Sequence, residues 1–230
     1  RYSQDSDAGD RVVAPLLRAY SVTLDKLVLS HRDIDHVGGA PSVLAMQSKA
    51  ELLSSIEDGH ELLKLRHGNR CEAGQSWAWD GVKFEVLHPQ ANNYDAVNKS
   101  NAMSCVLRIS NGQQSALLPG DIESAQEVQL VDSSVELKSD VLLVPHHGSK
   151  TSSSDAFLEA VQPHIALVQS GYRNRYGHPA ESVLVRYEQR GIRVYDSPHC
   201  GAATWRSAQP LKLDCHRLSG LRYWQHKMSM

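Results

Sequence analysis

The segment LVLSHRDIDHVGG, residues 27–39, places four metal-seeking side chains within six positions, directly behind a short apolar run. The run Leu27-Val28-Leu29 predicts a buried strand, and Gly38-Gly39 lets the backbone pass close to whatever the loop holds. The alternative is a polar turn in which one Asp caps the next helix, but capping requires a single acid. A protein core does not hold unpaired carboxylates, so the segment predicts a metal site. The four side chains are His31, Asp33, Asp35 and His36.

A single globular core is the expectation for a chain of 230 residues, 41% of them hydrophobic. Residues 1–230 are therefore predicted to form one domain. No run approaches the roughly 18 to 20 apolar residues of a membrane span. The chain begins with Arg1 rather than Met, and we expect it to be cut out of a larger protein.

Charge is distributed unevenly along the chain. Residues 1–162 carry 14 Lys and Arg against 22 Asp and Glu, whereas residues 163–230 carry 10 against 4. A basic C-terminal third beside an acidic, metal-seeking part fits an anionic substrate that lies across a metal site. A solvated surface with no such purpose explains the same asymmetry, so both interpretations stay open.

Strands, helices and hairpins alternate along the chain, which is typical of sheet layers covered by helices. Asp80-Gly81 and Asn111-Gly112 each separate two apolar segments, a strong hairpin signal. Residues 50–70 are polar and charged, and they predict helix and loop. Helices are predicted at residues 10–20, 40–46, 124–131, 154–162 and 181–191, and further strands at 27–30, 140–145, 165–170 and 192–197.

The four Cys residues show no CxxC spacing, which argues against a structural zinc site. Cys200 and Cys215 lie symmetrically about a turn near Ser207-Ala208, so paired strands there would bring the two sulfurs together. They form a disulfide only in an oxidising compartment, and otherwise they are two small buried residues.

Three further apolar strands end in polar tips. One ends in Gly120-Asp121, one in His146-His147, and one in a loop with Arg173, Arg175 and His178. A lone residue of this kind is more often structural. Four such tips favour a common site, because strand tips on one edge of a sheet converge. A carboxylate such as Asp121 can bridge two cations.

The order of HxDxDHxGG, a strand ending in Gly-Asp and a strand ending in His resembles the metallo-β-lactamase superfamily. Four segments are similar to the C-terminal domain of ComEC-type DNA-internalisation competence proteins: SHRDIDHVGG, LLPGDIESAQE, LLVPHHGSKTSS and GYRNRYGHP. This resemblance implies an α/β fold, an αββα four-layer sandwich with a dinuclear metal site, here expected to lack its first strands. It also implies that the chain is a C-terminal fragment of a larger membrane protein in the bacterial inner membrane, with this domain on the periplasmic or outer side.

The resemblance also implies roles for individual residues. His31 and Asp33 would hold one metal ion, and Asp121 would bridge to a second ion. Asp35 would accept a proton from the attacking water, and His178 would donate to the leaving oxygen or orient the phosphate. The ligands expected for the second ion are Asp35, His36 and His146, and the residues expected to contact substrate are His147, Ser149, Lys150, Arg175 and His178.

Two departures from the superfamily pattern leave the first metal site with fewer nitrogen ligands. Asp33 stands where His is usual, and no His lies shortly before Asp121. The third ligand of this site is therefore left open among His88, Asn101 and Ser104. The oxygen-rich set favours manganese as the divalent ion, with zinc and magnesium as alternatives.

The predicted function is metal-dependent hydrolysis of DNA, by a nuclease that degrades the non-transported strand during DNA uptake in natural transformation. Its expected partners are DNA and the transmembrane channel of the same parent protein. Two alternatives stay open. One is a metal-stabilised module that guides DNA with little turnover, and the other is a superfamily hydrolase acting on a small phosphodiester or ester.

Overall fold

The structure, a computed structural model, describes residues 7–220. The described residues divide into two compact units, of which the first comprises residues up to 75 and 86–106 and the second comprises residues 76–85 and those from 107 onward. Among the described helices, none combines the length and the apolar character needed to cross a membrane. That residues 1–230 form a single domain stays a prediction.

A parallel three-stranded sheet lies at the centre of the first unit. Its strands are β1 (Lys26–Leu29), β2 (Glu51–Ser54) and β3 (Gly68–Arg70), adjacent in that order. Apolar side chains from the sheet and the neighbouring helices form one buried cluster that includes Leu29, Val37, Ala40, Leu44, Leu52, Ile56 and Leu62. The helical segments are a π-helical turn (Gly9–Val13), α1 (Ala14–Ala19), α2 (Ile34–Val37), α3 (Ala40–Met46), α4 (Glu61–Leu65) and two 3₁₀ turns (Ala91–Asp95 and Asn101–Met103).

The prediction of helix and loop for residues 50–70 was wrong in part, because β2 and β3 lie in this segment. Leu52 and Leu53 are buried, but two apolar residues are too short a run to show strand periodicity. β3 has the sequence Gly-Asn-Arg and no apolar side chain. It forms through parallel pairing with β2, a non-local interaction that local sequence does not display.

Gly39 serves helix packing rather than the approach of a ligand, so that interpretation needs correction. A Cβ at Gly39 would lie 2.5 Å from the backbone nitrogen of Gly9, closer than two such atoms can approach. The Asp7 carboxylate accepts hydrogen bonds from the Asp10 amide at 2.8 Å and the Ser42 hydroxyl at 2.8 Å. The first helical segment is thereby held against the start of α3.

A large mixed sheet has seven strands in the order β10-β9-β8-β7-β6-β5-β4. Both predicted hairpins are confirmed, since β4 and β5 pair antiparallel, and so do β6 and β7. β7, β8, β9 and β10 are parallel to their neighbours. The strands are β4 (Ser76–Trp79), β5 (Val82–His88), β6 (Val106–Ser110), β7 (Ser115–Leu118), β8 (Val141–Leu143), β9 (Ile165–Val168) and β10 (Arg193–Asp196).

The carboxyl ends of β7, β8 and β9 share one edge of the sheet because these strands are parallel. The three polar tips that follow them therefore lie at that edge, as the sequence indicates. The fourth tip follows β1, which belongs to the smaller sheet, so the expectation of one edge for all four tips was wrong. The helices of the second unit are α5 (Ser124–Asp132), α6 (Asp155–Val161), α7 (Glu181–Gln189), α8 (Ser197–Cys200) and α9 (His216–Ser219).

Two disulfides join the four Cys residues. β11 (Ala203–Trp205) and β12 (Leu213–Cys215) form the expected antiparallel hairpin, and Cys200 is bonded to Cys215. Cys71 is bonded to Cys105 in the first unit, with a sequence separation of 34. The sequence did not indicate this second bridge, because neither Cys lies in a hairpin with the other.

We expect no titratable thiol in denatured protein that is isolated from an oxidising compartment without reductant, since all four Cys are paired. Replacing Cys71 and Cys105 by Ser should lower the free energy of unfolding by about 2–5 kcal/mol. The Cys200 and Cys215 pair should cost less, because its separation of 15 closes a shorter loop. A thiol titration and denaturant unfolding test this, and four free thiols would reject both bridges.

Candidate metal centre

The loop after β1 carries the first group of predicted ligands, here called the first cluster: His31, Asp33, Asp35 and His36. His31 Nε2 lies 3.6 Å from Asp33 Oδ2, and His36 Nε2 lies 3.7 Å from Asp35 Oδ2. His31 is buried, whereas the two carboxylates are largely exposed. The Asp33 side chain makes no capping hydrogen bond to α2, so helix capping does not explain this carboxylate.

Ser30 orients both imidazoles of the first cluster. Its hydroxyl lies 3.0 Å from Nδ1 of His31 and 3.0 Å from Nδ1 of His36. A hydroxyl oxygen has two acceptor sites and can accept an N–H from each ring. Each ring then carries its lone pair on Nε2, the atom nearest a carboxylate. This tautomer leaves Nε2 able to bind a metal ion, and sequence reasoning missed Ser30 although it directly precedes His31.

The three candidates for a third ligand differ in their surroundings. His88 is buried, and its Nδ1 lies 3.0 Å from the Ser104 carbonyl, so this nitrogen donates. Its Nε2 is buried with no hydrogen-bond partner among residues 7–220, and burial lowers the pKa of the ring. The Ser104 hydroxyl lies 3.4 Å from His31 Nδ1, and Asn101 begins a 3₁₀ turn. His88 therefore has the tautomer that fits a ligand.

His31 also lines a cavity of about 380 Å³ within the first unit. Arg32 on its wall pairs with Glu57 at 2.9 Å. Arg70 pairs with Asp58 and lies 4.9 Å from the centre of the Tyr94 ring. Because both arginines already pair with carboxylates, the cavity does not concentrate positive charge. Sequence analysis did not indicate this cavity, since its walls come from separate segments.

The second unit contains another pair of candidate metal ligands, Asp121 and His147. Asp121 is buried after β7, and His147 Nε2 lies 3.5 Å from its Oδ2. His147 Nδ1 lies 2.6 Å from the Gln169 carbonyl, so Nδ1 donates and Nε2 carries the lone pair. The ligand atoms of these two residues lie within 4.8 Å of one another, and the same holds for Asp35 and His36. Each pair is suited to a divalent cation.

The Nδ1 atom of His146, the residue predicted as the ligand at this strand end, lies beside two other side chains. Its Nδ1 lies 3.4 Å from Glu123 Oε1 and 3.4 Å from the Thr151 hydroxyl. The imidazole 3.5 Å from Asp121 belongs to His147, which the sequence assigns to substrate. His146 as the ligand therefore stays a prediction, and His147 is a second candidate that the sequence did not single out, because two adjacent His on one strand end cannot be told apart from sequence.

The backbone of this tip is strained. His146 and His147 have φ of 51° and 54°, in the left-handed region that residues with a side chain rarely adopt. Gly148 follows with φ of 83°, and a Cβ there would lie 2.6 Å from Cβ of Pro179. The His146 amide donates to the Gly120 carbonyl at 3.1 Å. The surrounding fold thus holds both imidazoles in a conformation that the segment alone would not adopt.

A buried carboxylate supports the residues that follow this tip. Glu127 of α5 accepts the amides of Ser153 at 2.5 Å and Ser154 at 2.8 Å. Burial raises the pKa of Glu127, while these hydrogen bonds and Arg186 act in the opposite direction. The Arg186 guanidinium donates to the Ser152 carbonyl at 2.9 Å. The loop between β8 and α6 is therefore anchored from behind by side chains of α5 and α7.

His178 lies beside this tip, with its ring centre 6.0 Å from that of His146. Its Nδ1 is buried with no hydrogen-bond partner in the described part of the chain. Burial lowers the pKa of His178, the charges of His146 and His147 lower it further, and Asp121 raises it. The ring is therefore neutral at neutral pH. Asn174 holds the backbone here, because its Oδ1 accepts the His178 amide at 3.0 Å.

The remaining residues predicted to contact substrate differ in accessibility. Ser149 is buried and its hydroxyl lies 3.1 Å from that of Thr151, so it stabilises the loop. Lys150 and Arg175 are exposed. Arg175 donates to the Tyr176 hydroxyl at 2.6 Å. The roles of these residues toward substrate stay predictions.

Comparison with known proteins identifies competence proteins among the relatives of this chain. Competence protein ComA of Neisseria gonorrhoeae is 39% identical over 219 residues, which cover 94% of this chain and 30% of the relative. ComE operon protein 3 of Bacillus subtilis is 32% identical over 215 residues, covering 86% and 26%. The chain thus spans less than a third of the length of these relatives. No protein-family model matches it.

Solved structures show the fold. Igni18, a metallo hydrolase from the archaeon Ignicoccus hospitalis, superposes with a TM-score of 0.51 at 17% identity and covers 75% of each chain. The chain has the metallo-β-lactamase fold. The predicted fold class and the resemblance to competence proteins are therefore confirmed.

We expect His147→Ala to weaken manganese binding by at least about 10-fold, because it removes the imidazole beside Asp121. The matched variant His146→Ala removes the adjacent ring and should have a smaller effect. Titration calorimetry with manganese on each purified variant measures the difference. A larger loss for His146→Ala would assign the ligand to His146, as the sequence predicts.

Proposed function

We propose that this chain is the metal-dependent deoxyribonuclease domain of a DNA-uptake protein, which degrades the non-transported strand during natural transformation. One observation carries the proposal. Two residue pairs, Asp35 with His36 and Asp121 with His147, share one arrangement. In each pair, Nδ1 of the imidazole lies within hydrogen-bond distance of a protein oxygen, and Nε2 lies beside the carboxylate. The competence proteins among the relatives support DNA as the substrate.

The proposed ligands follow from this arrangement. Divalent ions would be held by His31, Asp33, Asp35 and His36 in the first unit and by Asp121 and His147 in the second, with His146 as the alternative to His147. Such ions, when bound, lower the pKa of water and neutralise charge on a phosphate. Asp35 accepts the proton of the attacking water, since its carboxylate is exposed. Neutral His178 orients the phosphate through an N–H.

The side chains also support a choice of metal ion and a cellular location for the domain. The proposed ligands include three carboxylates, which favours manganese over zinc. Two disulfides support an oxidising compartment, the periplasmic or outer side of the inner membrane. There the domain would lie beside the transmembrane channel of its parent protein, and DNA would be its substrate.

Asp35→Asn should reduce DNA hydrolysis by about 100- to 10,000-fold, because the amide cannot accept the proton of water. The size and shape of the side chain are retained, so thermal unfolding should be unchanged. Initial rates on single- and double-stranded DNA, with manganese, magnesium or zinc added singly to metal-stripped protein, measure the effect. Manganese should give the highest rate.

Asp10→Ala is the matched control, since Asp10 is an exposed acid on the first helical segment and should leave the rate unchanged. Cleavage by Asp35→Asn at the wild-type rate would overturn the assignment of Asp35. DNA binding without hydrolysis under any metal would favour a guiding module. Hydrolysis of bis(p-nitrophenyl) phosphate or of an ester, with DNA untouched, would favour a small substrate.

Arg175→Ala should weaken DNA binding and make it less dependent on salt, because one phosphate contact fewer releases fewer counterions. The slope of log K against log salt should fall by about 0.7 to 0.9. Arg206→Ala is the control, since Arg206 is exposed and pairs with Asp214 at 2.9 Å. An unchanged slope with lower thermal stability would show that Arg175 only stabilises its loop.

A further inference from the structure

The loop between β9 and α7 presents two exposed aromatic rings. In the segment Gly171–Gly177, with the sequence GYRNRYG, Tyr172 is 51% exposed and Tyr176 is 66% exposed. Neither ring contributes its area to a core, so packing does not account for them. Large exposed rings in a loop are more often used for binding than for stability.

Each tyrosine carries an arginine over its ring. The guanidinium carbon of Arg173 lies 5.3 Å from the centre of the Tyr172 ring, and that of Arg175 lies 4.8 Å from the Tyr176 ring. Neither arginine forms an ion pair with a carboxylate among residues 7–220. By contrast, Arg190 pairs with Asp155 at 2.7 Å. The charges of Arg173 and Arg175 are thus available to an anionic ligand.

Asn174 makes the loop rigid. Its side-chain amide donates to the carbonyls of Gly171 at 3.1 Å and His178 at 2.5 Å. Its backbone amide donates to the Gly171 carbonyl at 3.2 Å. A ligand that binds the two tyrosines therefore does not have to order the loop first, which lowers the entropic cost of binding.

Aromatic faces together with unpaired guanidinium groups recognise unpaired nucleotides. Bases stack on the rings and arginine forks bind the phosphates, whereas the bases of a duplex are already stacked on one another. Tyr176 also links the loop to the candidate metal centre, since its ring lies nearly parallel to that of His178, with centres 5.8 Å apart. A base on Tyr176 would therefore lie beside the phosphate that His178 orients.

We propose that Tyr172 and Tyr176 form a stacking surface for the unpaired bases of a single DNA strand entering the candidate metal centre. This inference rests on the proposed function, because it takes DNA as the substrate. It adds that the loop selects single-stranded DNA over duplex DNA. It also gives two residues, absent from the sequence-based site, a role in binding.

The test measures binding of a phosphorothioate oligonucleotide, which resists cleavage, as a single strand and as a duplex. The double variant Tyr172→Ala/Tyr176→Ala should weaken single-strand binding by roughly 5- to 100-fold and change duplex binding much less. Tyr172→Phe/Tyr176→Phe retains both rings and should bind like the wild type. Tyr20→Ala is the matched control, since Tyr20 is 71% exposed in the first unit.

Thermal unfolding of all variants should be unchanged, because the rings are exposed. The proposal is overturned if the double Ala variant binds the single strand like the wild type, if it loses single strand and duplex equally, or if the wild type binds no single strand. Ring-dependent binding in a protein that hydrolyses no DNA would support the stacking surface while the nuclease proposal fails. The two ideas are thus tested separately.

Discussion

Hydrogen bonds to Nδ1 decide the chemistry of the imidazoles in both units. An imidazole can offer a lone pair to a cation only from the nitrogen that carries no proton, and the partner of the other nitrogen selects that state. The Gln169 carbonyl does this for His147, and the Ser30 hydroxyl lies 3.0 Å from Nδ1 of His31 and of His36, where it can accept an N–H from each ring. If these oxygens were displaced, the rings could rotate and the donor sets would be lost.

The positions of these oxygens depend in turn on the strand ends that carry them. The Ser30 carbonyl accepts the Cys105 amide at 2.8 Å and the Ser55 hydroxyl at 2.5 Å, which holds the end of β1 in place. Gln169 directly follows β9, whose pairing with β8 places the tip of one strand beside that of the other. Rigid strands therefore position short loops, and this arrangement permits polar side chains to converge without a polar core.

The tip after β8 shows how much of the fold supports one pair of residues. Two consecutive His in the left-handed region cost of order 1–3 kcal/mol each. Glu127 and Arg186 hold this loop from behind, and the Ser152 hydroxyl donates to the Pro145 carbonyl within it, in hydrogen bonds that break if the loop relaxes. Strain that persists at such a tip is typical of functional sites, and the candidate ligand His147 lies at this position.

Sequence analysis identified local patterns better than contacts between distant segments. The two hairpins at Asp80-Gly81 and Asn111-Gly112 were predictable because turn residues and apolar alternation are both local. β3 was not, because Gly-Asn-Arg acquires its strand conformation only from β2. The Cys71–Cys105 bridge was missed for the same reason, since the two Cys meet only after chain folding.

The residues themselves determined which chemistry this protein has available. The motif HxDxDH, together with Asp121, His146 and His147, indicates a divalent metal before any fold is known, because Asp and His are common metal ligands and these residues follow predicted strands. Only the tertiary structure showed that Nε2 of His147 lies beside Asp121, which oxygens lie beside the Nδ1 atoms, and which arginines among residues 7–220 pair with carboxylates. Those outcomes depend on backbone torsions and on contacts between distant segments, which a short stretch of sequence does not determine.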